Sequence, residues 1–259
     1  MSATSGLLPR RPAGPAFRRL AVTELKLFLR EKAGVFWGVV FPLVLLIIFG
    51  SIPSFHKPAK ELGGITYLTA YVPILIALVL ALLAISTLPA VLASYREKGI
   101  LRRLATTPVG PARMLGAQLA VQGSVTVVTV VLLLAVARIA YGVPLPGQPG
   151  GFLLAAVLAA GALYSLGLVI GAVVPNSRAA QPIGALLFFP MMFFAGLWLP
   201  IAAMPSVLQH ISHLTPLGAA VQALGDSSAG QWPHTLNLAV LAGYAVVLSA
   251  AAVKLFRWE

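Results

Sequence analysis

The chain is 259 residues long, 59% hydrophobic and only 9% charged, with a mean hydropathy of +0.95. That composition excludes a soluble domain holding a charged surface against water and points to an integral membrane protein. A formal charge of +12 and a pI near 10.8 would direct a soluble protein toward nucleic acid. Here the basic residues flank long apolar runs, where anionic head groups attract them, so no nucleic-acid partner is expected.

Residues 1–15, rich in Pro, Gly and Arg, cannot bury enough apolar surface to order themselves and are expected to be a disordered tail; residues 16–259 are expected to form one transmembrane domain. The opening segment has no apolar core leading to a cleavage site, so no removable signal peptide is expected. From Ala16 onward Phe17, Leu20, Leu25 and Phe28 recur at near-helical spacing, with Glu24 among them and Arg18, Arg19, Lys26 and Arg30 at other positions. The pattern predicts an amphipathic helix in contact with membrane lipid at the interface, bending at Gly34 into the first span.

Apolar runs then occupy about 33–52, 65–94, 114–141, 150–174, 181–199 and 236–255. Each is near or above the ~20 residues a helix needs to cross hydrocarbon, and together they predict an all-α protein of six transmembrane helices. Threading them alternately puts fifteen of the eighteen Lys and Arg on one side: seven up to Lys32, five from Arg96 to Arg113, Arg178, Lys254 and Arg257. The other side holds Lys57, Lys60 and Arg138. By the positive-inside rule both termini are cytoplasmic and the protein is a multi-pass component of the cell membrane. Pro42, Pro73, Pro89 and Pro190 lie in or near the spans and are read as kinks that neighbouring helices compensate.

Two segments depart from plain spans. Between the second and third, Ile100, Leu101 and Leu104 share a helical face with Arg102 and Arg103 beside them, bounded by Gly99 and Pro108; that face suits docking into a partner's groove. Between the fifth and sixth, Gly196 to Asp226 has no Lys or Arg and is divided by Pro200, Pro205 and Pro216, which predicts two short helices at the outer interface. Trp198 and Trp232 mark the outer boundary and Trp258 the inner one.

Several chemistries lack their residues. None of the six lysines follows a glycine, so no P-loop exists and the chain is read as a transport subunit rather than an enzyme. The acids Glu24, Glu31, Glu61, Glu97, Asp226 and Glu259 all fall outside the membrane core, which disfavours a proton-coupled secondary transporter. His210 and His213 are three apart but have no acid or cysteine near them, so no metal site is expected. With no cysteine in the chain, disulfides and thiol catalysis are excluded.

Taken together, Arg96-Glu97-Lys98-Gly99-Ile100-Leu101-Arg102-Arg103-Leu104, Thr107-Pro108-Val109 and the outer stretch from Phe194 through Gly196, Pro200, Pro205, Leu208, Ile211 and Pro216-Leu217 resemble the type-2 permease family of ATP-binding cassette exporters. The resemblance runs from about Ala16 to the end. It implies that Glu97, Gly99, Ile100, Leu101, Arg102, Arg103, Leu104, Thr107 and Pro108 form a coupling helix against a separate ATPase subunit. ATP and Mg would be bound by that subunit and no cofactor by this chain. It further implies a dimer with a second copy of this or a related permease, and short re-entrant helices before the sixth span. Short members resemble drug or natural-product exporters, as in daunorubicin resistance; others of similar length move polysaccharides or lipids. The Phe- and Met-rich fifth span and the segment after it supply the expected path and outer gate for a hydrophobic small molecule: Phe188, Phe189, Met192, Phe193, Gly196, Leu197 and Pro200.

Overall fold

The computed structural model describes residues 13–59, 64–105, 111–201 and 204–255. Ten α-helices run through them: α1 (Ala13–Arg30), α2 (Lys32–Gly50), α3 (Tyr67–Glu97), α4 (Ile100–Ala105), α5 (Pro111–Tyr141), α6 (Pro149–Val173), α7 (Ser177–Phe194), α8 (Ser206–Leu214), α9 (Pro216–Ser228) and α10 (Thr235–Leu255). Among the described residues, extended pairing is limited to one bridge between Pro58 and Thr66. Five helices, α2, α3, α5, α6 and α10, are long and apolar enough to cross a membrane. The chain is therefore an all-helical multi-pass membrane protein, as its composition requires, and these five helices start and stop within three residues of the expected runs.

The run expected at 181–199 is shifted. Helix α7 begins at Ser177 and ends at Phe194, because Ala195 to Leu199 turn away through Gly196 at φ +86°. Its polar start at Ser177, Arg178 and Gln181, with Pro182 and Pro190 inside it, lowers the hydropathy of α7, and it is not among the five helices apolar enough to count as spans. At the other end of the chain α1 starts at Ala13, inside the segment expected to be a tail. The break before α2 falls at extended Glu31 rather than at Gly34, which is buried against the Phe28 ring.

The amphipathic reading of α1 needs a rotation. Its inward stripe is Leu20, Glu24 and Phe28, spaced by four, while Leu25 is exposed together with Val22, Leu27 and Leu29. Helix α1 packs on α5, and Phe28 joins the core between Gly34 and Gly38 of α2. The proline-divided stretch forms α8 and α9, as its breakers predict. Helix α9 is covered by protein: Leu217, Ala219, Ala220, Ala223 and Leu224 are fully buried, and it packs on α3, α6 and α10.

Helix α3 is the centre of the bundle. It packs against α2, α5, α6, α7 and α9, and 78% of its spanning window is buried, against 17% for α10. Two prolines explain how neighbours come so close. Pro42 in α2 and Pro89 in α3 have no N–H for the carbonyl four residues back, and each follows a stretch wound as π-helix, Phe36–Val40 and Leu82–Thr87. The Gly38 carbonyl, which Pro42 cannot serve, accepts instead from the Thr129 hydroxyl of α5 at 3.2 Å. Around the α3 bulge sit glycines of three helices. A Cβ on Gly38 would lie 2.7 Å from the Leu83 side chain, one on Gly184 2.8 Å from the Ile85 carbonyl oxygen, and one on Gly167 would fall on the Ala84 carbonyl oxygen. Small residues at such crossings let backbones touch where lipid offers no hydrophobic drive for association.

The glycine contacts give a graded expectation. Gly167→Ala forces α6 off the α3 backbone and should destabilise the detergent-solubilised protein by about 2 kcal/mol or more, Gly184→Ala by less. Gly243→Ala in α10, where nothing lies within 4 Å, should be neutral. Thermal unfolding followed by size-exclusion monodispersity reads the order; equal midpoints for all three would remove the close-packing account.

Candidate functional site

Helix α3 stops because Gly99 takes φ +64°, a left-handed conformation that glycine adopts without a Cβ penalty, and α4 starts directly after it. The last full turn before that stop carries Tyr95, Arg96 and Glu97. Successive residues of a helix point about 100° apart, so three neighbours in sequence reach three different helices. The Tyr95 hydroxyl donates to Glu24 Oε2 of α1 at 2.6 Å. The Arg96 guanidinium donates to the carbonyls of Gly171 at 2.6 Å and Val174 at 2.8 Å, the last turn of α6. Glu97 accepts from the Ser177 N–H at 3.1 Å and the Ser177 hydroxyl at 2.8 Å, the first turn of α7.

Each charge suits the helix pole that it meets. Unpaired carbonyls make a helix C-terminus partially negative, and unpaired N–H groups make an N-terminus partially positive. Arg96 meets the first kind and Glu97 the second, while Asn176 caps α7 locally by accepting from the Ala179 N–H at 2.8 Å. The tight turn of Val174 to Asn176 between α6 and α7 is thus gripped from both sides by one dipeptide of α3. Helices α6 and α7 touch each other less than either touches α3.

The expected coupling residues divide. Glu97 faces Ser177 and is solvent-exposed, Arg102 and Arg103 are exposed on α4, and Ile100 is half-buried. Leu101 corrects the sequence reading: it is 2% exposed and belongs to the core, so it anchors α4 to its own bundle and offers no docking surface. The apolar face of a helix this short is needed to hold it down. The Leu104 side chain and Thr107 and Pro108 lie outside the described residues, as does the Phe17 side chain of the α1 set.

The expected path residues do not share one surface. On α7, Met192 is fully buried and Phe188 half-buried, four apart on the stripe that also holds Gly184. Phe189 is 57% exposed and stacks on Trp198 at 6.2 Å. Phe193 is half-buried, edge-on to Phe194 at 5.5 Å. Gly196 supplies the turn, Pro200 is half-buried, and the Leu197 carbonyl accepts from the Tyr71 hydroxyl at the start of α3, 3.2 Å away.

Sequence reading missed a buried polar stripe on α5. Gln118, Gln122, Thr126 and Thr129 follow one face at helical spacing, none more than 8% exposed. Tyr164 of α6 lies against it, its hydroxyl 2.5 Å from the Thr126 hydroxyl and 3.0 Å from the Gln122 carbonyl oxygen that it donates to. Spacing by three and four in an otherwise apolar run was the available signal. No such signal existed for the α3 junction, since its partners are up to 80 residues away.

Comparison with known proteins decides the class. The sequence profile of the family described as ABC-2 type transporter matches residues 15–226. The chain belongs to that family. It is also 22% identical over 229 residues to "Putative transport permease YvfS" of Bacillus subtilis (strain 168), covering 85% of this chain and 90% of that protein. As an ABC transporter permease, the chain is a transmembrane subunit of a system whose ATPase is a partner, which fits the missing P-loop.

Glu24 gives this junction a pH dependence. Burial pushes its carboxyl above the usual range, and the Tyr95 hydroxyl pulls it part of the way back. A carboxyl that holds its proton more tightly in the folded state stabilises the fold fully only below the ordinary carboxylate range, and that contribution is lost as pH rises through the raised value. Glu24→Gln keeps an acceptor for Tyr95 and cannot ionise. Its thermal midpoint relative to the parent permease should therefore improve as pH rises from about 4.5 to about 8. A difference that stays flat across that range contradicts the buried carboxyl.

Proposed function

We propose that this permease is the membrane-spanning part of an exporter. It works as a dimer with two copies of a separate ATPase subunit, and moves hydrophobic or amphipathic compounds such as drugs, antibiotics or natural products out of the cell. The observation that carries the reading is α4. It is a short helix bearing Arg102 and Arg103 on its exposed side, held by Leu101 against the bundle and joined through Gly99 to the central helix α3. A partner that pushes on α4 pushes on the end of the helix that the whole bundle packs around. The Lys and Arg asymmetry supports placing α4, α1 and both termini on the cytoplasmic side.

The burial of Leu101 moves the contact to the charged side of α4. Rim charges set association rate and register with a partner. For the seam between two copies we assign, among the exposed apolar faces, those of α2, with Phe36, Trp37 and Val44, and of the Phe- and Met-rich α7, with Ile183, Leu186 and Phe189. No charged side chain is among these, in keeping with an apolar or amphipathic substrate.

Two measurements test this reading. A reporter fused at Glu259 or between Arg102 and Arg103 should read cytoplasmic, and one at Trp232 external. Tagged permease should co-purify an ATPase, and Arg102→Glu should weaken that association severalfold or more without changing membrane level. Retention of the ATPase by the reversed charge, or an external C terminus, overturns the arrangement.

A further inference from the structure

We propose that Arg96 and Glu97 are positioning residues that make the α6–α7 turn follow the end of α3, so that displacement of α4 is delivered to α7. This rests on reading α4 as the ATPase contact. Helix α4 is separated from α3 only by Lys98 and Gly99, and buried Leu101 keeps it from swinging free of the bundle. A push on α4 therefore reaches the α3 terminus first, where Arg96 and Glu97 stand.

From there the connections run to α7 along its whole length. At its first turn the Glu97 carboxylate holds the Ser177 N–H and hydroxyl. Midway Gly184 lies on the Ile85 carbonyl in the α3 bulge. Past its last turn, the Leu197 carbonyl takes the Tyr71 hydroxyl of α3, and the Phe194 carbonyl takes the Ser212 hydroxyl of α8 at 2.6 Å. Helix α7 touches α3 more than any other helix, whereas its other face, with Ile183, Leu186, Leu187 and Phe189, is exposed. It is thus fixed to α3 at both ends and free on the side that a second copy or a substrate would meet. Arg96, on the Gly171 and Val174 carbonyls, prevents the turn from pivoting about Ser177 alone.

A purely structural cap would affect only stability. A positioning role predicts that the ATP-driven movement of α7 is lost while that of α4 persists. The chain contains no cysteine, so single labels can be placed without a cysteine-free background. An environment-sensitive fluorophore on Lys98→Cys reports the base of α4, and one on Leu186→Cys, 74% exposed, reports the free face of α7. Both are recorded in the reconstituted permease–ATPase complex before and after trapping with ATP and vanadate.

Both labels should respond in the parent complex. In Glu97→Ala the Leu186 response, normalised to the ATPase bound, should fall about threefold or more while the Lys98 response persists. Ser177→Ala, which keeps the backbone bond and is the milder variant for folding, should give an intermediate loss, and Glu97→Asp a partial rescue. A full Leu186 response in Glu97→Ala, or a parent complex in which Lys98 responds and Leu186 does not, overturns the proposal while leaving the coupling role of α4 intact. Absence of any response at Lys98 overturns that role, and the proposal with it.

Discussion

Backbone contact with the α3 bulge is the constraint that the rest of the bundle depends on. Lipid chains are as apolar as leucine, so burying leucines against one another gains little inside a membrane, and helices must be held by close packing and by the few polar bonds available. Pro89 breaks the regular ladder of α3 and leaves carbonyls facing its neighbours. Gly167 and Gly184 bring α6 and α7 onto those carbonyls, and Gly38 brings the bulge of α2 onto Leu83. Once these crossings are set, α6 can carry α10 through Ser165 and Ser249, whose hydroxyls are 2.7 Å apart, and α9 can fill the remaining space with alanines.

The same helix is also where electrostatics concentrates. Tyr95, Arg96 and Glu97 each serve a different helix, and the two charges match the two poles of a turn that has little packing of its own. At a membrane surface such matching counts for more than an ordinary exposed ion pair. Arg96 meets two fixed backbone carbonyls, and Glu97 a backbone N–H together with the short Ser177 side chain, so less entropy is lost in keeping them there than in pairing two long side chains.

Much of this was legible from the chain. Length, hydropathy and breaker residues located five long helices to within three residues, because a hydrocarbon-crossing helix leaves a run that nothing else imitates. The motif around Gly99 and the outer prolines identified the family. Rotation about the helix axis was not legible. Leu101 and Met192 read as available surface and are core, since a run rich in apolar residues does not reveal which side faces protein. Nor was α7 legible as a shorter element: the turn at Gly196 depends on Tyr71 and Ser212, which lie far off in sequence.

The stripe of Gln118, Gln122, Thr126 and Thr129 bears on how the chain enters the bilayer during synthesis. Alone in lipid, α5 would present two carboxamides and two hydroxyls to hydrocarbon, each opposing release from the translocation machinery. The hydroxyl that meets Thr126 and the Gln122 carbonyl belongs to Tyr164, which is made later. The arrival of α6 therefore relieves the Thr126 hydroxyl, while the Thr129 hydroxyl is met by the Gly38 carbonyl of α2, which is made before α5. The Gln122 carboxamide stays without a hydrogen-bond partner among the described residues, so α6 lowers only part of the cost of releasing α5 into lipid.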